Sequence, residues 1–499
     1  MKSRRIRSFL VVLVLLSLTS QFAFAEDGIL FRRNVSGTPD AETEQAALFM
    51  MDFYVPAQSA AGVVGPVSNY ILADGTTVGY EPRYYAKPLI SAYIDDIGVH
   101  VGEEEEELST FGHVAIGAFD AFVGVSLDDG TTWRTTNLSR ASDLSSFTLA
   151  NGHEYPGDAF KVVHQVFNDN ILVAWASRYC AGGAPLFTLD PVEDATYLTD
   201  LETNYGKDAL YLYDLFGVGG TQRSVDYTLQ GFPEVGELPY GCIWAARGNL
   251  LAGDDPSTAD ATEATYVMWT KPERLTSGVR DAMLPQLDCA AGAGCAVIWQ
   301  EDPEGLRPGL GLGPGEGWSG AITNGQTDMW YSYIKEEDFD IVFADDTLNT
   351  DTEVRMAEFQ GTTQPKPYVP MSMPIRMTDN AMCKYNKDTD PYCYINFSKI
   401  GEYDHTNITE LQGLTAPQEN ATFCTGSVSW TNPGGTTLEI CKTQDGRVLN
   451  GRVGASRVRL NTKGYDSDKD GIADHAWVIA GAEETKALGD LLVDPWGNS

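Results

Sequence analysis

One short stretch near the C-terminal end spaces its oxygens for a hard cation. In Asp466-Ser467-Asp468-Lys469-Asp470-Gly471-Ile472-Ala473-Asp474, carboxylates stand at the first, third, fifth and ninth places, with glycine at the sixth. Such a run wraps around calcium, with the side chains of Asp466, Asp468, Asp470 and Asp474 and the carbonyl of Ile472 as ligands. An EF-hand would carry glutamate at the twelfth place, where this chain has Trp477. The spacing therefore predicts a D-x-D-x-D-G-x-x-D loop, with calcium as the cofactor. Carboxylates this dense repel one another without a cation.

Other residues could do chemistry of a different kind. Glu301-Asp302 and Glu483-Glu484 follow tryptophan-bearing segments and have the makings of carboxylate pairs for glycoside hydrolysis, although such residues more often close strand ends. The six histidines, His100, His113, His153, His164, His405 and His475, show no H-x-x-x-H or H-E-x-x-H spacing, which gives zinc no support. Glu103 to Glu107 reads as a solvated acidic loop. The glycine-rich stretch Gly305–Gly320 has no strand or helix pattern and reads as a long loop, with Trp318 able to stack on a sugar or seal a neighbouring element. It offers no phosphate cradle, because no glycine fingerprint opens a helix there and no G-K-[ST] follows.

The elements that must position these groups read as short strands. Ser126-Leu127-Asp128-Asp129-Gly130-Thr131-Thr132-Trp133 fills S-x-D-x-G-x-T-W, the Asp-box or BNR repeat. Ser126 and Asp128 supply turn acceptors, Gly130 a positive φ, Thr132 a hydroxyl, and Trp133 a ring to tuck beneath the turn. The strand-like Phe119–Val125 precedes it and Thr135–Ser139 follows, giving strand, turn, strand. Tryptophan-bearing apolar segments then recur around Trp175, Trp244, Trp269, Trp299, Trp330, Trp430 and Trp477. A second element recurs as Asn137-Leu138-Ser139, Arg274-Leu275-Thr276, Arg376-Met377-Thr378 and Arg459-Leu460-Asn461. Repeated strand modules predict an all-β fold of β-propeller type, with blade count left open by the uneven spacing. Helical periodicity is almost absent; Ala482–Leu488 reads as one short helical turn.

The chain opens with Lys2, Arg4, Arg5 and Arg7, an apolar run from Phe9 to Leu18, and Ala23-Phe24-Ala25. This is a signal peptide over 1–25, followed by a strand-rich region over 26–110 and the propeller over 111–499. No later run is long enough to span a membrane. The net charge is −36, which disfavours nucleic acid and anionic lipid as partners. The even set of cysteines, Cys180, Cys242, Cys289, Cys295, Cys383, Cys393, Cys424 and Cys441, predicts disulfides in an exported protein. Many connectivities are open; the local pairs Cys289–Cys295, Cys383–Cys393 and Cys424–Cys441 are plausible, which leaves Cys180–Cys242 by elimination.

The Asp box also invites comparison with sialidases. A sialidase site needs three arginines from different blades, a tyrosine with a glutamate partner and an aspartate. Arg274, Arg376 and Arg459 come from separate repeats, but the N-terminal arginine motif is incomplete at Arg32-Arg33, which lacks its proline. The chain resembles the choice-of-anchor O family of bacterial secreted or surface proteins. The resemblance rests on Asp128–Trp133 with Asn137–Arg140, on Asn170–Trp175 with Cys180, on Trp299–Gly305, and on Ala476–Ile479 with Glu483–Lys486. It implies a sialidase-like propeller, a location outside the cell or in the bacterial envelope, and no particular activity. Family members carry C-terminal anchors; this chain ends at Asp494–Ser499 without one, which implies a released member or a piece of a longer protein, its propeller incomplete at the C-terminus. The functional expectation is a non-catalytic binding module for a glycan or a surface protein, with no catalytic residues assigned. The alternative is a glycoside hydrolase of sialidase-like fold.

Overall fold

The computed structural model describes residues 35–36, 43–56, 70–71, 74, 77–78, 85–96, 119–128, 130, 132–141, 144–155, 157–183, 192–207, 222–226, 236–255, 264–302, 305–308, 321–323, 327–343, 364–372, 374–377, 424–431, 437–443, 448–449, 453–469, 473 and 475–486. Among these the chain is mostly strand. Three antiparallel meanders follow one another. The first contains β1 (Thr43–Met50), β2 (Leu89–Asp96), β3 (Phe119–Ser126) and β4 (Arg134–Asn137), paired in that order. The second contains β5 (Ala159–Phe167), β6 (Asn170–Ser177), β7 (Cys242–Ala252), β8 (Thr265–Trp269) and the short β9 (Glu273–Arg274), which also pairs with β7. The third contains β10 (Asp281–Ala290), β11 (Gly294–Asp302), β12 (Asp328–Ile334) and β13 (Ile375–Arg376). A smaller sheet of β14 (Cys424–Thr431), β15 (Thr437–Thr443) and β16 (Val448–Leu449) precedes a long hairpin of β17 (Val453–Tyr465) and β18 (His475–Lys486).

The meanders repeat one another at the level of single hydrogen bonds. Trp175 faces Trp244 across the ladder, and Trp244 faces Arg274. Trp299 faces Trp330, and Trp330 faces Arg376. Tyr93, Phe122 and Asn137 hold the same three places in the first sheet. The next residue in each repeat, Leu138, Leu275 or Met377, donates its N–H to the carbonyl of Ala121, Ile243 or Met329. Ser139 and Thr276 then accept the N–H of Ala121 and Ile243 at 3.0 and 2.9 Å. The recurring tripeptide is thus an edge-strand clasp that satisfies backbone groups beside a large aromatic pair. Arg459-Leu460-Asn461 does not belong to this series, because it lies inside the long β17, where Arg459 faces Gly481 and not a large aromatic.

The first strand of each unit packs on the preceding sheet: β5 on β1, β2 and β3; β10 on β5, β6 and β7; β17 on β10, β11 and β12. Each interface has its own core. Ile90, Ala92, Ile94 and Val123 meet Val162, Ile171 and Trp175 between the first and second sheets. Leu172, Ala174 and Ile243 meet Ala282, Val297 and Trp299 between the second and third. Ile298 and Met329 meet Ala455 and Val458 under the hairpin. Stacked sheets bury alternate strand faces on both sides, so the central strands β6 and β11 are buried along their whole lengths.

Three sequence expectations are corrected. Helix α1 (Ala195–Tyr205) forms where none was expected, burying Tyr197, Leu198 and Leu201 and ending at Gly206 in the left-handed region. Ala482–Lys486 is not helical but the end of β18, paired with β17 on either side of a register shift at Ala482; Ala487 and Leu488 lie outside the described residues. Leu306–Pro308 is not plain loop but pairs with Ala321–Thr323.

His164 on β5 is sealed between the first two sheets. Its Nε2 lies 3.1 Å from the Ile90 carbonyl, and Phe49 meets its ring edge-on at 4.7 Å. Burial lowers its pKa from 6.5 to about 4. The unfolded chain therefore binds this proton better, and the stability held by the neutral ring is full above pH 6.5 and lost as pH falls toward about 4. We expect His164→Gln, which keeps an amide donor for Ile90, to flatten this acid limb, removing roughly 3 kcal/mol of pH-dependent destabilisation between those limits. Chemical denaturation of both proteins from pH 7 down to 4 checks it. Asp158 acts in the opposite sense, since burial raises its carboxyl to about 7, so the difference between the two proteins isolates His164.

Candidate functional site

The Ser126–Trp133 turn joins β3 to β4, and its described serine, aspartate and threonine side chains bond within the turn. Ser126 Oγ donates to Asp128 Oδ1 at 2.8 Å and accepts the Gly130 N–H at 2.8 Å. Asp128 accepts the Thr132 N–H at 2.8 and 3.0 Å and the Thr132 hydroxyl at 2.7 Å. Gly130 takes φ 83°, which a side chain would strain. Trp133 lies beneath, near the place a Gly130 Cβ would occupy. These bonds shape a hairpin. Asp128→Ala should cost about 1–3 kcal/mol in urea unfolding, because it strands the donors it held.

A charged cluster occupies one end of the second and third sheets. Arg178, just past β6, lies 3.6 Å from Asp281 at the start of β10 and donates to the Pro239 carbonyl at 2.5 Å. Its guanidinium sits 4.9 Å from the Phe160 ring centre. Asp281 accepts the Gly241 N–H at 2.6 Å. Next to it, Arg280 donates to Glu301 Oε2 and stacks 4.2 Å over Trp330. Trp299 Nε1 donates to Glu301 Oε1 at 2.9 Å. Both Glu301 oxygens are thus occupied, and the residue is 2% exposed. Asp302, facing Asp281 across the ladder, is also buried and accepts the Thr327 hydroxyl at 3.3 Å. Asp158 is buried with an Oδ1 that has no hydrogen-bond partner. Burial holds its carboxyl up at about 7, with Arg178 pulling it back. Burial, then Asp158, pushes the nearby Tyr155 hydroxyl up as well. Sequence reading did not single out Asp158, Arg178 or Tyr155.

A second charged group also escaped the sequence. Arg247 on β7 and Glu273 on β9 are buried and paired at 2.7 Å. Their remaining donors and acceptors reach main chain at Phe339, Val369 and Met371. This network ties two irregular segments to the second sheet, and Tyr197 of α1 adds a bond to the Tyr368 carbonyl.

The other expected sites are placed as follows. Arg274 and Arg376 stand in one register place on separate sheets, and Arg459 is exposed on the hairpin, bonded to its neighbour's carbonyl. Burial lowers the Arg274 pKa to about 10. Glu483 and Glu484 lie within β18. Cys180–Cys242 and Cys289–Cys295 are disulfides. Backbone register puts Cys424 opposite Thr443 and Cys441 opposite Ser427. Cys383, Cys393, Arg32, Arg33, Trp318, Glu103–Glu107, His100, His113 and His405 lie outside the described residues.

Of the acidic loop, Asp466, Ser467, Asp468, Lys469 and Ala473 are described; Asp470, Ile472 and Asp474 are not. Asp466 Oδ1 accepts the Lys469 N–H at 2.5 Å, and Lys469 takes φ 65°. Among the described residues, no three ligand-type side chains converge. Ala473 and Gly464 sit on the β10–β11 turn closed by Cys289–Cys295: a Cβ on Gly292 would clash with Ala473 Cβ, and one on Gly464 with the Ala291 carbonyl. Glycine at both places lets the two turns touch. Among the described residues, no helix is long and apolar enough to cross a membrane.

No family model matches the chain, and no curated protein matches it. Among solved structures it is similar to a mutant of Trypanosoma rangeli sialidase displaying trans-sialidase activity, at 12% identity and a TM-score of 0.20. That alignment takes in 58% of this chain and spans 33% of the sialidase chain.

Proposed function

We propose that this chain is an exported, non-catalytic module of β-propeller type that binds a glycan or protein partner outside the cell. Each meander, and the β17–β18 hairpin, is then part of one blade, with β1, β5, β10 and β17 innermost. One observation carries the non-catalytic reading. Glu301, one of the hydrolase candidates read from the sequence, has one oxygen on Arg280 and the other on Trp299 Nε1, and is 2% exposed. A general acid or base must reach a substrate proton. The disulfides Cys180–Cys242 and Cys289–Cys295 support an oxidising compartment, in line with the basic and apolar N-terminal segment. Calcium at Asp466, Asp468, Asp470, Ile472 and Asp474 would supply charge neutralisation and fix the end of the β17–β18 hairpin.

Glu301→Gln tests the reading. It should lower the unfolding midpoint and leave retention of polysaccharide by the folded protein unchanged. A variant that melts like the wild type but has lost sugar release would overturn it. The observation favouring a glycoside hydrolase is Asp158, a carboxyl raised to about 7 with an unpartnered Oδ1. Sugar release abolished by Asp158→Asn in a normally folded protein would decide for that alternative.

A further inference from the structure

The hairpin β17–β18 has two unlike faces. Leu460 and Ala480 pack toward the third sheet, and Thr462 on the same face takes Asp288 as its partner. On the opposite face the register sets Asn461 against Ile479, Lys463 against Trp477 and Tyr465 against His475. All six are exposed, with Tyr465 at 48%, Trp477 at 57% and Ile479 at 59%. The Tyr465 and Trp477 rings lie side by side, centres 6.0 Å apart and tilted by 57°.

Two large rings left this open call for an occupant. Another sheet is a poor one. The sheet interfaces within the stack are mostly aliphatic and aromatic, with the neutral imidazole of His164 held between the first two, whereas this face interleaves its rings with Lys463, His475 and Asn461. Covering it with a sheet would strip water from the Lys463 ammonium. A sugar suits the mixture better. Its C–H face can lie on a ring while its edge hydroxyls meet polar groups that stay wet. Neighbouring units of one chain can each take a ring. The net charge of −36 disfavours polyanions, which leaves neutral saccharides.

We propose that this face, centred on Trp477 and Tyr465, binds a neutral polysaccharide chain; the proposal rests on the binding-module reading above. The test uses insoluble cellulose, chitin and starch as probes, with wild type, Trp477→Ala and Tyr465→Ala, followed by depletion from solution, thermal unfolding and sedimentation velocity. The expected result is retention of the wild type on at least one probe and a loss of about tenfold or more for each variant, at an unchanged unfolding midpoint. Equal retention of wild type and Trp477→Ala would overturn this face as the site and leave the module reading standing. Failure of the wild type on every probe would overturn the proposal, as would a wild-type dimer that Trp477→Ala turns into a monomer, which would make a second copy the occupant. Sugar release by wild type and variants alike would overturn the underlying non-catalytic reading instead.

Discussion

Glu273→Ala should destabilise the protein by about 3–5 kcal/mol, measured as the loss of unfolding free energy in denaturant. The reason lies in what it would leave behind. Arg247 is fully buried, and its Nε and Nη2 donate to Glu273 Oε2 at 3.0 and 2.7 Å. Its Nη1 donates to the Phe339 carbonyl at 3.1 Å and its Nη2 to the Val369 carbonyl at 2.7 Å. Glu273 Oε1 accepts the Met371 N–H at 2.9 Å. Burial pushes the Glu273 carboxyl up, and Arg247 together with the Met371 amide pulls it back. The pair is therefore costly to bury and costlier to break. With Glu273 gone, a guanidinium stays in the core with carbonyls as its bonded partners and without its paired carboxylate. Arg247→Met combined with Glu273→Leu should recover part of the loss, because no buried charge remains. A single variant within about 1 kcal/mol of the wild type would show that the pair is not held as described.

Cys180→Ala with Cys242→Ala should cost about 4 kcal/mol, on the chain-entropy account of a cross-link spanning 62 residues. The bond joins the segment after β6 to the first residue of β7, at the end of the aromatic pair Trp175 and Trp244. It encloses α1, so its loss frees a long excursion in the unfolded chain. The smaller loop of Cys289–Cys295, with a separation of 6, should give a clearly smaller effect when removed the same way. Equal effects from the two pairs would contradict the loop-length argument, and a melting curve for the Cys180/Cys242 variant that overlays the wild type would contradict the bond itself.

Strand content was legible because β-branched and aromatic runs between turn residues leave few alternatives. The recurrence of Asn137-Leu138-Ser139, Arg274-Leu275-Thr276 and Arg376-Met377-Thr378 was visible as words, and its meaning became clear once each fell opposite an aromatic pair. Arg459-Leu460-Asn461 matched the same words without the same place, since a tripeptide does not record which strand it pairs with. Helix α1 left a faint signal: Tyr197, Leu198, Leu201 and Tyr205 follow helical spacing, with Gly206 as the stop. Segment Ala482–Lys486 is rich in helix formers, but the long ladder with β17 overrides that propensity. The buried charges were the hardest to see. Arg247 sits in Ala245-Ala246-Arg247-Gly248, where a charge inside an apolar strand hints at a buried partner. That partner, Glu273, lies across the sheet, and pairing at such separation is set by topology and not by local sequence.

On the proposed reading, this stack of repeated meanders meets its partner by surface contact, without chemistry. The measurement that tests it most directly is incubation of the purified wild-type protein with sialosides and neutral polysaccharides, following bound protein and released sugar in one experiment. The account predicts protein bound and no sugar released. Sustained release at enzyme-like rates, lost on replacing Asp158 or Glu301 in a protein that still folds, would contradict it.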